Sequence, residues 1–475
     1  MVRLLHHSDI ENVYDDASRA ARLAGTLAER AGDDGLVVGS GDDTAPGVLP
    51  LVTDGRQAIP FFRAAGTTVE TFGNHDFDFG PNATRELVAD APPTWVTVNV
   101  RDEDGEPFGR AEGVEPWVVR EAAGERVGLF GVTDPATDSL NPAAATLSFD
   151  DPLPAAREAV AALREAGVDY VVAVSHLGQG DDDLAGIDDV DAVLGGHVHS
   201  RRVEHVDDTL VTRPGVNGHA VVEVELTDEG ATGELLEVGV ETAETGDDSH
   251  AESVAAALRD RVSEAGLDEV VTHVDGSLER TEETIHGGES RIGNLVADAY
   301  RWGADSDVGL QNAGGIRLGE PLAGPVTVAD CIGVVPFEEP VVTAEVTGEQ
   351  LRALVREMSA SVVDFGDPDW WHGHVSGLRL VFEESTETVR ELRVDGEPVD
   401  DDQWYTVATA EYLLHSDHEF PTLSERHRAG EHGIQHEILA DYLREHDAPT
   451  VDGRMRRVRG ESAGDETDVV STDAE

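Results

Sequence analysis

Short apolar segments that end in polar clusters recur along the first half of the chain. Five such clusters follow apolar, strand-like runs directly, at residues 7–11, 39–43, 73–78, 175–178 and 195–199. Buried strands that lead into polar loops are where α/β proteins build their sites, at the carboxyl ends of the strands. The pattern therefore predicts an α/β fold whose functional site is assembled from these loops.

The side chains in the five loops indicate the chemistry of that site. Together the loops supply several carboxylates and one amide, and the last two loops add three imidazoles, those of His176, His197 and His199. Carboxylate, amide and imidazole groups are the donors expected around two adjacent divalent cations, and paired cations of this kind assist hydrolysis of phosphate esters. Metal-assisted phosphate hydrolysis is therefore the function that these residues favour.

Charge and length limit the classes of protein to which the chain can belong. At 475 residues it is long enough for two domains. Its 97 acidic residues exceed its 34 basic residues, all of them arginine, and a formal charge of −63 excludes a generic nucleic-acid binder. Such an acidic surface favours a halophilic host, in which salt screens the repulsion, and the 39% hydrophobic content argues against disorder.

The ends of the chain and its single cysteine bear on its location in the cell. The first residues do not resemble a signal peptide, and no apolar run approaches the length of a membrane span. We therefore expect a cytoplasmic protein without a membrane partner. Cys331 is the only cysteine and is expected to be a buried thiol.

Changes in composition predict where the domains begin and end. Strands alternate with amphipathic helices over residues 1–240, which predicts a first domain of mixed sheets layered with helices. Residues 241–252 are polar and acidic and are interpreted as a linker, and a second domain is predicted over residues 253–459. Residues 460–475 are predicted to be a disordered acidic tail.

The order of the motifs in the first domain is more specific than any one of them. D-x-E at 9–11 is followed by G-D at 41–42, G-N-H-D at 73–76, S-H at 175–176 and G-H-x-H at 196–199. This series resembles the calcineurin-like metallophosphoesterase family, and with the motifs of the second domain the chain looks like a two-domain 5′-nucleotidase of a halophilic archaeal type. The resemblance implies an α/β/β/α sandwich of mixed sheets and a second, α+β substrate-binding domain.

The resemblance also assigns metal ligands. It implies two divalent ions, with manganese, zinc, magnesium and cobalt all left open. Asp42 would bridge them. The remaining ligands would be Asp9, Glu11 and His199 at the first ion and Asn74, His176 and His197 at the second.

Two neighbouring residues would act on the substrate rather than on the ions. His75 resembles the non-ligand histidine of the family, which stabilises charge on the phosphoryl oxygens or the leaving group. Asp78, three residues later, would orient its ring. Asp43 and Asp76 are interpreted as solvated or capping carboxylates instead.

One ligand departs from the family pattern. Glu11 stands where the family normally has a histidine. Either the carboxylate replaces the imidazole as a ligand, or the first site is weakened, and replacement is the favoured hypothesis because carboxylate oxygen binds divalent metals readily.

The second domain carries residues that resemble the substrate-binding motifs of the family. By that resemblance, Asn312 and Gly314 would lie near the nucleoside, Arg317 would bind phosphate, and Phe337 and Phe420 would stack on the base. Two departures weaken the match. Residues 416–419 replace a glycine-rich segment, and His286 lies near the place of an expected arginine.

The predicted function is hydrolysis of nucleoside 5′-monophosphates to nucleoside and phosphate, as part of nucleotide catabolism. The expected partner is a small nucleotide, and the oligomeric state is left open. A 2′,3′-cyclic nucleotide phosphodiesterase or a nucleotide-sugar hydrolase is the near alternative. A non-enzymatic alternative is a nucleotide-sensing module whose first metal site has degraded, although the presence of His75 and Asp78 speaks against it.

Overall fold

The chain divides into two compact units, which we describe separately. In the computed structural model, the described residues are 1–239, 248–363, 365–416 and 418–458. The units comprise Met1–Gly266 and Leu267–Glu475. Residues 241–247 of the expected linker and the whole of the expected tail, 460–475, lie outside the described residues.

The first unit alternates strands with helices, as its hydrophobic pattern predicts. Its strands are β1 (Val2–His7), β2 (Leu36–Gly39), β3 (Thr67–Glu70), β4 (Thr94–Trp95), β5 (Val100–Arg101), β6 (Trp117–Ala122), β7 (Glu125–Thr133), β8 (Ser148–Phe149), β9 (Tyr170–His176), β10 (Ala192–Gly195), β11 (Arg201–Val206), β12 (Thr209–Pro214), β13 (Ala220–Thr227) and β14 (Gly230–Glu237). Its helices are α1 (Ala17–Ala31), α2 (Val48–Thr53), α3 (Ala58–Ala65), α4 (Gly80–Asp90), α5 (Thr137–Leu140), α6 (Pro152–Glu165), α7 (Asp181–Ala185) and α8 (Asp248–Glu264).

Two mixed six-stranded sheets form the centre of this unit. One has the order β14-β13-β1-β2-β3-β4 and the other the order β11-β12-β10-β9-β7-β6. The central strands β1, β2 and β3 are parallel, as are β7, β9, β10 and β12. Parallel neighbours end at the same edge of a sheet, so the loops after β1, β2 and β3, and those after β9 and β10, are brought together in two groups.

Apolar side chains fill the space between the sheets and cover their outer faces. Leu4 and Val38 from one sheet pack with Leu129, Val172 and Leu194 from the other. Helix α6 covers the second sheet, while α1 packs against β1, β2 and α3 beside the first sheet. This is the layered α/β/β/α arrangement that the family resemblance implies, and it leaves the polar loops at the sheet edges.

Helix α8 belongs to the first unit, whereas the sequence analysis placed it at the start of the second domain. It begins at Asp248, within the expected linker, and packs against α1 and α3. Val254 and Leu258 are fully buried there. The boundary between the units falls after Gly266, because the apolar side of this helix packs on the first unit.

The second unit is an α+β fold with separate sheets. Its strands are β15 (Val270–Arg280), β16 (Val308–Asn312), β17 (Gly319–Thr327), β18 (Pro340–Thr347), β19 (Gly373–Ser376), β20 (Leu378–Glu383), β21 (Thr388–Val394), β22 (Glu397–Pro398), β23 (Trp404–Ala410), β24 (Arg428–Ile434) and β25 (Met455–Val458). Its helices are α9 (Glu282–His286), α10 (Arg291–Ala304), α11 (Val328–Val334), α12 (Gly348–Glu357), α13 (Ala360–Val363) and α14 (Gln435–Glu445).

A five-stranded sheet of order β19-β16-β23-β18-β24 organises this unit. A four-stranded sheet, β22-β21-β20-β25, and the β15-β17 pair accompany it. Helix α10 packs on β16 and β19, and Leu295 and Tyr300 of this helix are fully buried. Cys331 is buried in the same core, as expected. In the part of the chain that the structure describes, no helix is both long enough and apolar enough to cross a bilayer.

Candidate metal centre

The loops after the parallel strands of the first unit bring the predicted metal ligands together. Two groups of three side chains have ligand atoms within 4.8 Å of one another. One group is Asp9, Glu11 and His199, and the other is Asp42, His176 and His197. Except for Asn74, which contacts His197, the predicted ligands thus fall into the two sets that the sequence analysis assigned to two ions.

The first group combines two buried carboxylates with a half-exposed imidazole. The Nε2 atom of His199 lies 3.0 Å from Oε1 of Glu11 and 3.8 Å from Oδ1 of Asp9. Asp9 is fixed by its neighbours, because Ser8 Oγ donates to its Oδ2 at 2.5 Å and the His197 N–H donates to its Oδ1 at 3.0 Å. Because the ligand atoms of all three side chains lie within 4.8 Å of one another, Glu11 is directed at the same point as Asp9 and His199.

The second group is more deeply buried and its imidazole is locked in place. His176 Nδ1 lies 2.8 Å from the Ser40 carbonyl oxygen, to which it donates, and its Nε2 lies 3.0 Å from Asp42 Oδ2. A hydrogen bond at one ring nitrogen fixes the tautomer and leaves the other nitrogen free to bind a metal. His197 Nδ1 lies 2.8 Å from Asn74 Oδ1, so the amide joins this group.

Several of these residues have an unfavourable backbone conformation. Asp9, Glu11, Asp42 and His197 have positive φ angles of 50°, 41°, 53° and 70°. Each non-glycine residue in the left-handed region costs roughly 1–2 kcal/mol, and such residues cluster at functional sites. Four of the predicted ligands are therefore held in place by the surrounding fold at some cost in stability.

A histidine and its partner lie beside the second group. His75 Nδ1 is 3.0 Å from Asp78 Oδ2, and the backbone N–H of His75 donates to Asp42 Oδ1 at 2.7 Å. Burial opposes the charge of this imidazole, but the hydrogen bond to Asp78 and the charge of Asp42 outweigh it and raise the pKa of His75 to about 9. The pair predicted from the sequence is therefore formed, with Nε2 as the ring nitrogen that remains available.

The crowding of buried carboxylates shows what kind of ligand the centre suits. Burial raises the pKa of Asp9 to about 7; the His176 imidazole opposes this effect and the charge of Asp42 adds to it. Burial also disfavours ionisation of Asp42, yet the contact with His176 holds the pKa of Asp42 below its usual range. Buried charges are stable only when they are paired or bind metals. Oxygen and nitrogen donors in this arrangement fit divalent cations.

The structure adds residues that sequence reasoning did not find. Asn141 Nδ2 donates to Asp78 Oδ1 at 2.9 Å and to the Asn74 carbonyl at 2.7 Å, and so ties the histidine pair to the amide ligand. Asp134, which follows β7, lies 3.3 Å from His197 Nε2. Neither residue belongs to a motif. Asp134 could have been suggested by its position directly after a strand, whereas nothing in the sequence pattern pointed to Asn141.

Two carboxylates differ from the solvated groups that the sequence analysis expected. Asp76 is buried and accepts hydrogen bonds from the Asp42, Thr44 and Gly73 N–H groups, so it caps loops but is not solvated. Asp43 is fully buried, and its Oδ2 lies 3.0 Å from His7 Nδ1 rather than in either ligand group. The side chain of His7 is likewise fully buried.

The second unit holds the residues expected to contact substrate. Asn312 ends β16 and donates from Nδ2 to Glu419 Oε2 at 2.9 Å. Gly314 is exposed in the short helical turn that follows. The Asn312 amide is therefore held by a buried carboxylate that replaces part of the glycine-rich segment of the family.

The three remaining candidates of this unit have different environments. Arg317 is exposed, and its guanidinium carbon lies 5.0 Å from the centre of the half-buried Phe337 ring. Phe420 is fully buried in the core of the unit. Phe337 thus has an accessible edge and a cation over its face, whereas the ring of Phe420 is enclosed by core residues and would have to move to contact a base.

His286 does not supply the charge of the arginine that the family has near this position. Its ring stacks on Trp370 with centroids 3.9 Å apart. Burial, followed by the influence of His372, lowers the pKa of His286 to about 4. The imidazole is therefore neutral near pH 7, and the second unit offers less positive charge for a phosphate than the family pattern does.

Comparison with known proteins agrees with the fold. Residues 270–425 match the model of the 5′-nucleotidase C-terminal domain family. The human 5′-nucleotidase is 23% identical over 95% of this chain and 89% of its own length. The structure of a 5′-nucleotidase precursor from Thermus thermophilus has 25% identity and a TM-score of 0.69 over 96% of this chain and 99% of that one.

A longer bacterial relative is also similar. The trifunctional nucleotide phosphoesterase of Bacillus subtilis (strain 168) is 22% identical over 96% of this chain, which spans only 35% of that relative. An endonuclease of the same strain is likewise matched over 34% of its length, so the chain spans about a third of both proteins. The chain has the two-domain architecture of the 5′-nucleotidases, and residues 270–425, in its second unit, match the 5′-nucleotidase C-terminal domain family.

Proposed function

We propose that the chain is a metal-dependent phosphomonoesterase that hydrolyses nucleoside 5′-monophosphates to nucleoside and phosphate. The observation that carries this proposal is the pair of facing ligand groups, Asp9–Glu11–His199 and Asp42–His176–His197, beside the His75–Asp78 pair. Ligand binding alone does not need an oriented histidine beside the metal ligands, whereas a positioned general acid accelerates hydrolysis of a phosphate ester.

The side chains of the first unit divide the work of the reaction. Two divalent ions held by the ligand groups would supply positive charge for the phosphate oxygens and would lower the pKa of a bound water toward neutral pH. His75 presents Nε2 while Asp78 holds its other nitrogen, which suits it to stabilise charge on a phosphoryl oxygen or to protonate the leaving group. Asn141 fixes Asp78 and keeps the ring of His75 in that orientation.

The second unit supplies candidate contacts to the nucleotide. Arg317 presents an exposed guanidinium that suits phosphate, and Phe337 beneath it offers an apolar surface for a base. Asn312 and Gly314 lie in the same loop and are proposed to contact the nucleoside. Phe420 is the fifth proposed contact, conditional on its ring leaving the core.

The similarity to the trifunctional nucleotide phosphoesterase favours a wider set of substrates as the second candidate. That similarity extends over nearly the whole of this chain. Cyclic 2′,3′-nucleotides and nucleotide sugars are therefore the alternatives to test beside the 5′-monophosphates. The sensing module is disfavoured, because Glu11 is buried and faces His199 as a ligand would.

A substrate and metal panel tests the proposal. Phosphate release is measured for nucleoside 5′-monophosphates, 2′,3′-cyclic nucleotides and nucleotide sugars in molar potassium chloride with manganese, zinc, magnesium or cobalt. We expect turnover of 5′-monophosphates that is lost in Asp42→Asn. Absence of hydrolysis of every compound with every metal would overturn the enzyme assignment, and hydrolysis confined to cyclic nucleotides would replace it with a phosphodiesterase.

A further inference from the structure

A third group of donors lies beneath the loops of the metal centre. It consists of His7, Asp43 and Glu70, whose side chains are all fully buried and whose ligand atoms lie within 4.8 Å of one another. His7 ends β1 and Glu70 ends β3, while Asp43 lies in the loop after β2. None of the three belongs to the ligand groups described above.

The pairing of the strands brings these side chains to one point. His7 is the register partner of Gly39, and Gly39 is the register partner of Glu70, so His7, Gly39 and Glu70 are aligned across β1, β2 and β3. A side chain at position 39 would occupy the space between the carboxylates. A Cβ atom built on Gly39 would collide with Glu70 Oε2 and would lie 2.5 Å from Asp43 Oδ2. Glycine leaves open the space on which the carboxylates converge.

The inner atoms of the group lack hydrogen-bond partners. With both carboxyl groups ionised, His7 Nδ1, Asp43 Oδ2 and Glu70 Oε2 are buried and have no hydrogen-bond partner among the residues that the structure describes. His7 Nδ1 does lie 3.0 Å from Asp43 Oδ2, but the direction of this contact is not that of a hydrogen bond. Buried polar atoms are almost always satisfied, so three that face one another indicate a missing ligand.

The outer atoms of the same side chains are all held. His7 Nε2 lies 3.3 Å from Thr67 Oγ1, and Asp43 Oδ1 accepts from the Ile10 N–H at 3.3 Å. Glu70 Oε1 accepts from the Gly41 and Thr71 N–H groups, both at 3.3 Å. Metal ligands are commonly oriented in this way, with one atom hydrogen-bonded to the protein and the other directed at the ion.

We propose that His7 Nδ1, Asp43 Oδ2 and Glu70 Oε2 bind a further divalent transition-metal ion, of the manganese or zinc type, enclosed in the first unit. Two carboxylate oxygens and one imidazole nitrogen are ordinary donors for both metals. The ion neutralises two carboxylates that burial would otherwise leave facing each other. It connects the loops after β1, β2 and β3, which carry Asp9, Glu11, Asp42 and Asn74, and so positions the centre without contacting the substrate.

The rival arrangement is a proton shared between the two carboxyl groups. A proton would satisfy Glu70 and Asp43 but would not require the imidazole of His7 to face them. The bound ion and the shared proton predict different effects of a Glu70→Gln substitution. The amide of Glu70→Gln can donate to Asp43 as a protonated carboxyl would, but it carries no negative charge and therefore binds an enclosed cation more weakly than the carboxylate does.

Counting the metal ions bound to the 475-residue chain distinguishes a bound ion from a shared proton. Because the group has no exposed surface, its ion is bound during folding and is protected from chelators in the native state. After dialysis of folded wild-type protein against EDTA, we expect one manganese or zinc ion per chain by elemental analysis, and none in Glu70→Gln. Denaturation in EDTA should release the retained ion.

The controls keep this inference separate from the proposed function. Asp42→Asn disrupts the centre above, and we expect it to retain the EDTA-resistant ion. Retention of that ion in Asp42→Asn, whatever the activity of the wild type, supports the further site even if the proposed function fails. A wild-type protein with no ion after EDTA treatment, or a Glu70→Gln variant with the same ion count as wild type, would overturn the inference. If Glu70→Gln does not fold, the ion count of EDTA-treated Asp42→Asn decides: one retained ion supports the further site, and none overturns it.

Discussion

Glu11 and His199 face each other across the first ligand group, with Glu11 Oε1 3.0 Å from His199 Nε2. The carboxylate is buried, whereas the imidazole is about half exposed. A glutamate that had merely replaced a lost ligand could turn to solvent, but the side chain of this one is buried with its oxygen beside the histidine. The geometry favours replacement of the imidazole by the carboxylate over loss of the site.

Removing the Glu11 carboxylate should weaken metal binding at the first group. Glu11→Ala is expected to lower the affinity for one of the ions by about 10-fold or more, because it deletes a direct ligand. Glu11→His should restore binding and shift the preference toward zinc. Metal content after dialysis against graded chelator measures both effects. The control Glu29→Ala removes an exposed carboxylate of the same charge, and equal metal content in all four proteins would exclude Glu11 as a ligand.

Loss of the His75 imidazole should affect turnover but not metal content. His75→Ala is expected to reduce kcat by about 10²-fold or more, because the group that faces the substrate is removed while the ligands remain. Asn141→Ala should give a smaller loss, about 10-fold, since it only frees Asp78. Steady-state kinetics and elemental analysis are measured in parallel, with His219→Ala, an exposed histidine, as the control. A His75→Ala enzyme with normal kcat would contradict its role.

Removal of the accessible ions should abolish activity reversibly. The His199 side chain is 51% exposed, so the first group is open to solvent and to chelators. Dialysis against EDTA is expected to reduce turnover to background, and manganese or zinc should restore it because the ligand groups are held by the fold. Full turnover in protein whose first two groups are shown to be metal-free would refute a metal-dependent reaction.

The buried ion pair behind the His176 loop should contribute strongly to stability. Arg213 Nε donates to Asp181 Oδ2 at 2.8 Å, and Asp181 Oδ1 accepts from Ser175 Oγ at 2.7 Å. Arg213→Met leaves a buried carboxylate without its partner, which is expected to lower the free energy of unfolding by about 3–5 kcal/mol. Urea unfolding of the full chain measures it. The exposed pair Arg56–Asp90 provides the control, since Arg56→Met should cost less than about 1 kcal/mol.

Salt should stabilise the folded protein. The 97 acidic residues against 34 arginines give a repulsion that opposes the compact state in dilute buffer and is screened by salt. The Tm is expected to rise steadily from low to molar potassium chloride. Sucrose at matched osmolality is the control for general exclusion from the surface. A Tm that is independent of salt, or that rises equally in sucrose, would contradict the screening argument.

The sequence by itself determined which loops come together as the candidate site. Asp9, Asp42, Asn74, His176 and His197 follow apolar strands, and the carboxyl ends of parallel strands meet at one edge of a sheet, so local pattern was enough to group them. The pairing of His75 with Asp78 also follows from their spacing of three residues in a short helical turn. Both relationships can be predicted from short stretches of sequence, because each depends on residues that are close together in the chain or on the strand directly before them.

The tertiary structure alone decided the relationships between distant residues. Asn141 reaches Asp78 across 63 positions of the chain, and no periodicity records such a contact. Helix α8 packs on the first unit, and Phe420 turns into the core of the second, because burial of apolar surface is settled by what surrounds it. The enclosed group of His7, Asp43 and Glu70 arises in the same way, from the register of three strands around Gly39, which fixes side chains that the sequence places far apart.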